Sequence, residues 1–179
     1  MARLFSTFKG DITIRIAVPE DAATLLELRL EALSMHPEAF AADVDMTQAE
    51  GADVWAERIA NYAKRQSDAI CIAECQNQII GMAGVGLGHW PKTRHSGFIW
   101  GVYITPEWRG MHIAEAILNE CSRWAKDHGG VVVKLGVVTT NMSAIHCYTR
   151  CGFSVYGIEP KVIYHDGVYY DELSMVRLI

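Results

Sequence analysis

Residues 131–138, VVVKLGVV, form a nearly unbroken β-branched run between two segments of helical periodicity, and nothing else in the chain restricts its folds so much. Such a run predicts a central strand buried on both faces. Before it, Arg109 to His128 repeats Ile113, Ile117, Cys121 and Trp124 at helical spacing. That segment closes with Lys126, His128 and Gly129-Gly130, a basic last turn followed by the glycine that helix ends prefer. After it, Asn141 to Cys151 reads as a short helix capped by Asn141. A strand with helices on both sides in sequence calls for layers of helix packed on sheet.

The rest of the chain extends this pattern. Asp11 to Ala17 sets Ile12, Ile14 and Ile16 against Asp11, Thr13 and Arg15, a period-two strand. Val18-Pro19-Glu20-Asp21 then starts a helix. Its apolar stripe is Ala22, Leu25, Leu26, Leu30 and Leu33, with Glu27, Arg29 and Glu31 beside it, and it ends before Pro37. Residues 36–51 are irregular, and Val54, Trp55, Ile59 and Tyr62 predict a second, shorter helix, an arrangement suited to a lid. Ala69 to Glu74 and Gln78 to Leu87 read as a hairpin turning at Gln76-Asn77. Ser96 to Thr105 is a further strand; Phe153 to Ile158 and Val168 to Leu178 complete the set, with a turn at His165-Asp166-Gly167. The order predicts an α/β chain with a mixed sheet and helices on both of its faces.

Composition narrows the function. Half of the 179 residues are apolar, which suits a single domain over residues 1–179. The net charge of −5, without clustered Lys and Arg, argues against nucleic acid as a partner. No apolar run has signal-peptide or membrane-spanning length, so a cytoplasmic protein with no membrane partner is expected. The five cysteines, Cys71, Cys75, Cys121, Cys147 and Cys151, read as reduced and mostly buried. His146, Cys147 and Cys151 lack the paired spacing of a zinc site, and no metal is expected. The glycine run from Gly81 to Gly88 lies in a strand pattern with no helix after it; close approach of a ligand or helix explains it better than dinucleotide binding.

Two motifs carry chemistry. WGVYITPEWRGMHIA, residues 100–114, passes from a strand through a Pro-containing turn to Arg109-Gly110 at the opening of a helix, where unpaired N–H groups face outward and favour an anion. Asn141, Ala144 and Tyr148 then fall at helical spacing on one face, offering a ligand an amide, a small residue and a phenol.

With these two motifs, 102–114 and 141–153, and its element order, the chain resembles the GNAT superfamily of acetyl-CoA-dependent N-acetyltransferases. The resemblance implies a GNAT-like acyl-CoA N-acyltransferase fold with a mostly antiparallel central sheet. It implies that Arg109, Gly110, Met111, His112, Ile113 and Ala114 hold the CoA pyrophosphate, and that Val102, Tyr103 and Ile104 pair their backbone with the pantetheine arm. Asn141 and Ala144 would touch the cofactor, and Tyr148 would face the thioester sulfur as the catalytic residue. Where the family pattern usually has glycine, this chain has His112, whose side chain either points away from the phosphates or crowds them.

The implied reaction needs an N–H donor for the carbonyl oxygen that becomes negative, and a proton source or hydrogen bond for the departing thiolate. Val102 to Ile104 offer the first and Tyr148 the second. Glu31, His146, Asp171 and Glu172 are the titratable candidates for a base, and a water chain is the other route. The expected activity is acetyl transfer by direct attack of a primary amine on a small molecule. The alternatives are a protein N-terminal or lysine acetyltransferase and a non-catalytic acyl-CoA-binding module. Glu27, Glu31, Asp43 and Asp45 favour a cationic acceptor. Family analogy adds a possible homodimer through a sheet edge or the last strands.

Overall fold

The computed structural model describes residues 2–179. Eight strands are present: β1 (Arg3–Thr7), β2 (Gly10–Ile16), β3 (Asp68–Cys75), β4 (Gln78–Leu87), β5 (Ser96–Ile104), β6 (Val132–Val138), β7 (Ser154–His165) and β8 (Val168–Leu178). They make one sheet in the order β1-β2-β3-β4-β5-β6-β8-β7. Every neighbouring pair is antiparallel except β5 with β6, so the mixed, mostly antiparallel sheet implied by the resemblance is the one observed.

Helices cover both faces. On one, α1 (Ala22–Met35) and α2 (Val44–Arg65) pack Leu25, Leu28, Trp55 and Ile59 against Ile70, Ile72, Met82 and Tyr103. On the other, α3 (Ile113–Asp127) and α4 (Met142–Arg150) bury Ile113, Ile117, Leu118, Cys121 and Tyr148 against Ile80, Val85, Val133 and Leu135. Burial of this apolar surface supplies the main force holding the layers together.

Several boundaries differ from the sequence reading. Strand β1 is an addition: its short hairpin with β2 places only Phe5 against the core, too little for a pattern to register. Helix α2 begins at Val44, inside the stretch read as irregular. Asp43 caps it by accepting from the Met46 N–H at 2.9 Å, and Gly51, at φ 72°, kinks it and breaks the periodicity. Its Trp55 and Ile59 are core residues, so α2 is a layer of the fold rather than a loose lid. The last hairpin is longer than expected, because β7 continues through a register shift between Glu159 and Ile163. Strand β6 is central, but it is not buried on both faces: Val132, Lys134 and Gly136 alternate as half-buried positions.

The sheet's one parallel pairing is also its shortest. Strands β5 and β6 are joined only from Ser96 to Phe98 against Val132 to Lys134, and beyond Phe98 they part. A second irregularity lies in the same stretch. Between Met82 and Gly84 the register with β5 shifts, and Gly101 takes up the bulge at φ 64°, a left-handed conformation that side chains oppose. Across the bulge Trp100 lies so close over Gly84 that a Cβ there would collide with its ring. The glycine run of β4 thus admits the side chains of β5, a tighter neighbour than a helix or ligand.

Candidate active site

The parting of β5 and β6 opens a cleft of about 500 Å³. Val102, Tyr103, Ile104, Arg109, Gly110, His112, Ile113, Ala114, Asn141, Ala144 and Tyr148 all line it. Met111 does not; its side chain is buried in the core under α3. His36, Glu38 and Phe40, from the turn between α1 and α2, complete one wall and were not singled out by the sequence.

The backbone of this cleft is rich in unpaired donors. Thr105 gives its N–H to the Ile80 carbonyl on β4 at 3.0 Å. Because N–H groups alternate sides along a strand, those of Val102 and Ile104 point the other way, to the edge that β6 has left. Helix α3 begins at Ile113 rather than Arg109, and residues 109–112 form the turn that leads into it. Ala116 is the first to find a backbone carbonyl, that of His112, at 3.1 Å. Among the described residues, the N–H groups of 110–115 find no hydrogen-bond acceptor. Such a row at a helix start is an anion cradle.

His112 holds the position next to the helix in a left-handed conformation, φ 60° and ψ 18°. This explains why glycine suits that place in the resembling pattern, since it adopts the conformation without cost. The imidazole is turned aside: its Nδ1 lies 2.8 Å from Glu115 Oε2, and Glu115 Oε1 accepts from Arg150 Nε at 2.7 Å. Burial works to raise the Glu115 carboxyl, and the contacts from Arg150 and His112 outweigh it, holding the group below its ordinary range. Arg109 is also turned from the cradle. Its Nε donates to the Ile104 carbonyl at 3.0 Å and its guanidinium sits 5.5 Å over the Tyr103 ring.

On the opposite wall, Asn141 caps α4 by accepting from the Ala144 N–H at 3.1 Å. Tyr148 is buried, and its hydroxyl, which makes no hydrogen bond among the described residues, is not sealed off. Burial, then the neighbouring Cys147, Cys151 and Glu172, push the phenol far above its usual value, so it stays protonated. Cys147 also lines the cleft, but hydrogen bonding with Cys151 and burial raise its thiol strongly, which disarms it as a nucleophile.

The four titratable candidates for a base separate clearly. Glu31 accepts from the Tyr103 hydroxyl at 2.7 Å, and burial together with that contact pushes the Tyr103 phenol up to about 12. Asp171 accepts from the Lys161 N–H at 2.8 Å within the last hairpin, and His146 is exposed. Glu172 has no such commitment; it does not itself line the cleft but lies beside Val138 and Tyr148, which do. It shares its face of β8 with Val138 and Gly136 of β6, and burial, then the nearby Glu159, raise its carboxyl above the ordinary 4.5. Of the acidic residues read as favouring a cationic acceptor, none lines the cleft: Asp43 is a helix cap, Glu31 is paired, and Glu27 and Asp45 are exposed.

Comparison with known proteins bears on the family and the fold. The model of the acetyltransferase (GNAT) family matches residues 32–153. In sequence, the chain is 29% identical over 145 residues to the aminoglycoside N(6')-acetyltransferase type 1 of Stenotrophomonas maltophilia, covering 79% of this chain and 85% of that protein. Among solved structures, an acetyltransferase of GNAT family from Streptococcus pneumoniae superposes with a TM-score of 0.84 at 24% identity, covering 94% of this chain and 99% of that one. The yncA protein of Salmonella typhimurium, solved with its cofactor acetyl-CoA, gives 0.75 at 23% identity over 93% of both chains.

Proposed function

The chain belongs to the GNAT acetyltransferase family, and from that membership we propose that residues 1–179 act as one N-acetyltransferase domain, moving acetyl from acetyl-CoA to a primary amine of a small molecule. The observation that carries this reading is the convergence of three features on one cleft: the free edge of β5, the donor row of 110–115 and the unpartnered Tyr148 hydroxyl. They fit a CoA thioester. The donor row and the left-handed turn at Gly110 and His112 suit the pyrophosphate, and the free edge from Val102 to Ile104 suits the amide-bearing arm. The bound donor supplies the acetyl thioester.

The residues then divide the work. The N–H groups at the end of β5 donate to the carbonyl oxygen as it gains negative charge. Glu172 takes the proton the amine loses when its nitrogen bonds to the acetyl carbon and the carbon–sulfur bond breaks. Tyr148 donates a hydrogen bond to the departing sulfur. Its raised pKa, set against about 8.5 for a thiol, makes complete proton transfer uphill, so solvent protonates the released thiolate. The aminoglycoside acetyltransferase relative supports a small-molecule amine over a protein one. Thiol release from acetyl-CoA across a panel of small amines and amine-terminated peptides tests this reading. Turnover with small amines supports it; turnover confined to peptides refutes the substrate class, and acetyl-CoA binding without turnover on any amine refutes catalysis.

A further inference from the structure

Arg29 lies on α1, beside the apolar stripe, where a sequence reading expects a solvated side chain. It is instead half-buried, and its Nη1 is a sealed nitrogen with no hydrogen-bond partner among the described residues. The guanidinium lies 4.8 Å over the Phe40 ring, and Nη1 comes within 3.4 Å of the place a Cβ on Gly101 would occupy. Arg29 therefore sits against the β5 bulge, one residue from the strand end whose N–H groups open on the cleft.

Beside it is a cavity of about 160 Å³ between the bulge and α2, with room for about five waters or one small head group. Trp100 and Gly101 form its floor. Arg58 and Glu50 are also in its wall, but they neutralise each other at 2.8 Å, so Arg29 is the charge left over. The Phe40 ring meets one face of the guanidinium, but the sealed Nη1 donor is left without an acceptor, a cost that an oxyanion from outside the chain would remove. Arginine, with its planar fork of donors, matches a carboxylate or a related oxyanion.

We infer that the cavity at the β5 bulge binds the carboxylate, or an equivalent oxyanion such as a phosphinate, of the amine acceptor, with Arg29 as donor, and that the acceptor is a small zwitterion of the amino-acid type. This rests on the acetyltransferase reading and narrows its substrate. The bulge cavity and the cleft are lined by consecutive residues of β5, Trp100 and Gly101 in the first and Val102 to Ile104 in the second, so an acceptor whose oxyanion meets Arg29 extends its amine toward the strand end.

The test compares methionine with 3-(methylthio)propylamine, its analogue without the carboxylate, and with the polycation kanamycin, in wild type, Arg29→Gln and Arg29→Lys. Thiol release is followed, and methionine and N-acetylmethionine are also titrated calorimetrically into the CoA-bound protein, a readout that needs no turnover. In wild type, kcat/KM for methionine exceeds that for the decarboxylated amine at least tenfold. Arg29→Gln abolishes that preference through KM, Arg29→Lys restores part of it, and acetyl-CoA affinity stays unchanged in both. Equal or better use of the amine or kanamycin by wild type overturns the inference and leaves the acetyltransferase reading intact. If no amine turns over, carboxylate binding that Arg29→Gln removes still supports the site, and its absence overturns it. Thermal unfolding separates binding from buttressing. Arg29→Met keeps or raises Tm if the charge awaits a ligand; a marked fall in Tm means that Arg29 only props the bulge, and refutes the assignment.

Discussion

Replacing Tyr148 with phenylalanine removes one hydroxyl and leaves the ring in place against Phe153, 6.3 Å away between centroids. Because that hydroxyl has no partner in the free protein, its loss exposes no orphaned group, and stability should change by no more than about 0.5 kcal/mol. The cost falls on the reaction. A hydrogen bond to a charged group is worth about 1.5–3 kcal/mol, which corresponds to a loss of roughly tenfold to a little over a hundredfold in kcat. Because burial holds the phenol well above its ordinary value of 10, Tyr148 contributes no alkaline limb below that pH. The assay is steady-state thiol release across pH with acetyl-CoA affinity measured separately by calorimetry. An unchanged kcat refutes the assignment of Tyr148 to the leaving sulfur. A loss beyond about 10⁴-fold refutes the hydrogen-bond account and makes the residue an obligate acid, and a matching loss of acetyl-CoA affinity makes it a binding residue only.

Glu172→Gln should lower kcat/KM by about a hundredfold and erase the acid limb of its pH profile, which in the wild type lies above the ordinary 4.5 of a carboxyl because burial and Glu159 raise it; a limb that survives removes Glu172 as the base. His112→Gly should leave acetyl-CoA affinity within about threefold, since the imidazole is held by Glu115. A tenfold gain in calorimetry would mean that it crowds the phosphates. Asp21 accepts from Arg15 at 2.7 and 2.8 Å and from the Val18 N–H at 2.8 Å. Burial favours its protonation, but these contacts win and depress the carboxyl below 3.8. The stabilisation is therefore present above that value and lost as pH falls through the folded pKa. Asp21→Asn should cost about 2 kcal/mol in urea unfolding at pH 7, and the difference should close toward pH 2; a constant difference refutes the linkage.

What the sequence made legible has a common physical basis. Strand β2 and helices α1, α3 and α4 each bury one face or stripe, and their periodicity records it, while β4 is buried on both faces and reads as an apolar run. The site motifs at 102–114 and 141–153 were readable because the turn and cap residues that build them are local in the chain. What escaped depends on distant partners or on interruptions. Pro160 and the bulge before Ile163 hide the continuation of β7. Gly51 breaks α2 into two short patterns. Arg29 looked like any polar residue flanking a stripe. Its burial is decided by Phe40 and by the bulge at Gly101, both remote from it in sequence.

Three residues of left-handed backbone lie along the passage that borders the cleft, and this has a consequence for charge. Gly101, Gly110 and His112 all adopt left-handed conformations within one strand-to-helix passage. Each costs conformational energy or entropy, and together they leave donors unpaired that a closed interior would not tolerate. The guanidinium of Arg29 stands behind the same strand, in the separate cavity at the bulge. Beyond β6, Glu172 and Glu159 hold paired positions on β8 and β7, outside the cleft lining, with Glu172 near Tyr148. A neutral or purely cationic amine would leave the Arg29 donor without an acceptor. A molecule that carries an oxyanion and an amine satisfies it and still presents its nitrogen to the strand end, where the free N–H groups of β5 meet the carbonyl oxygen under attack.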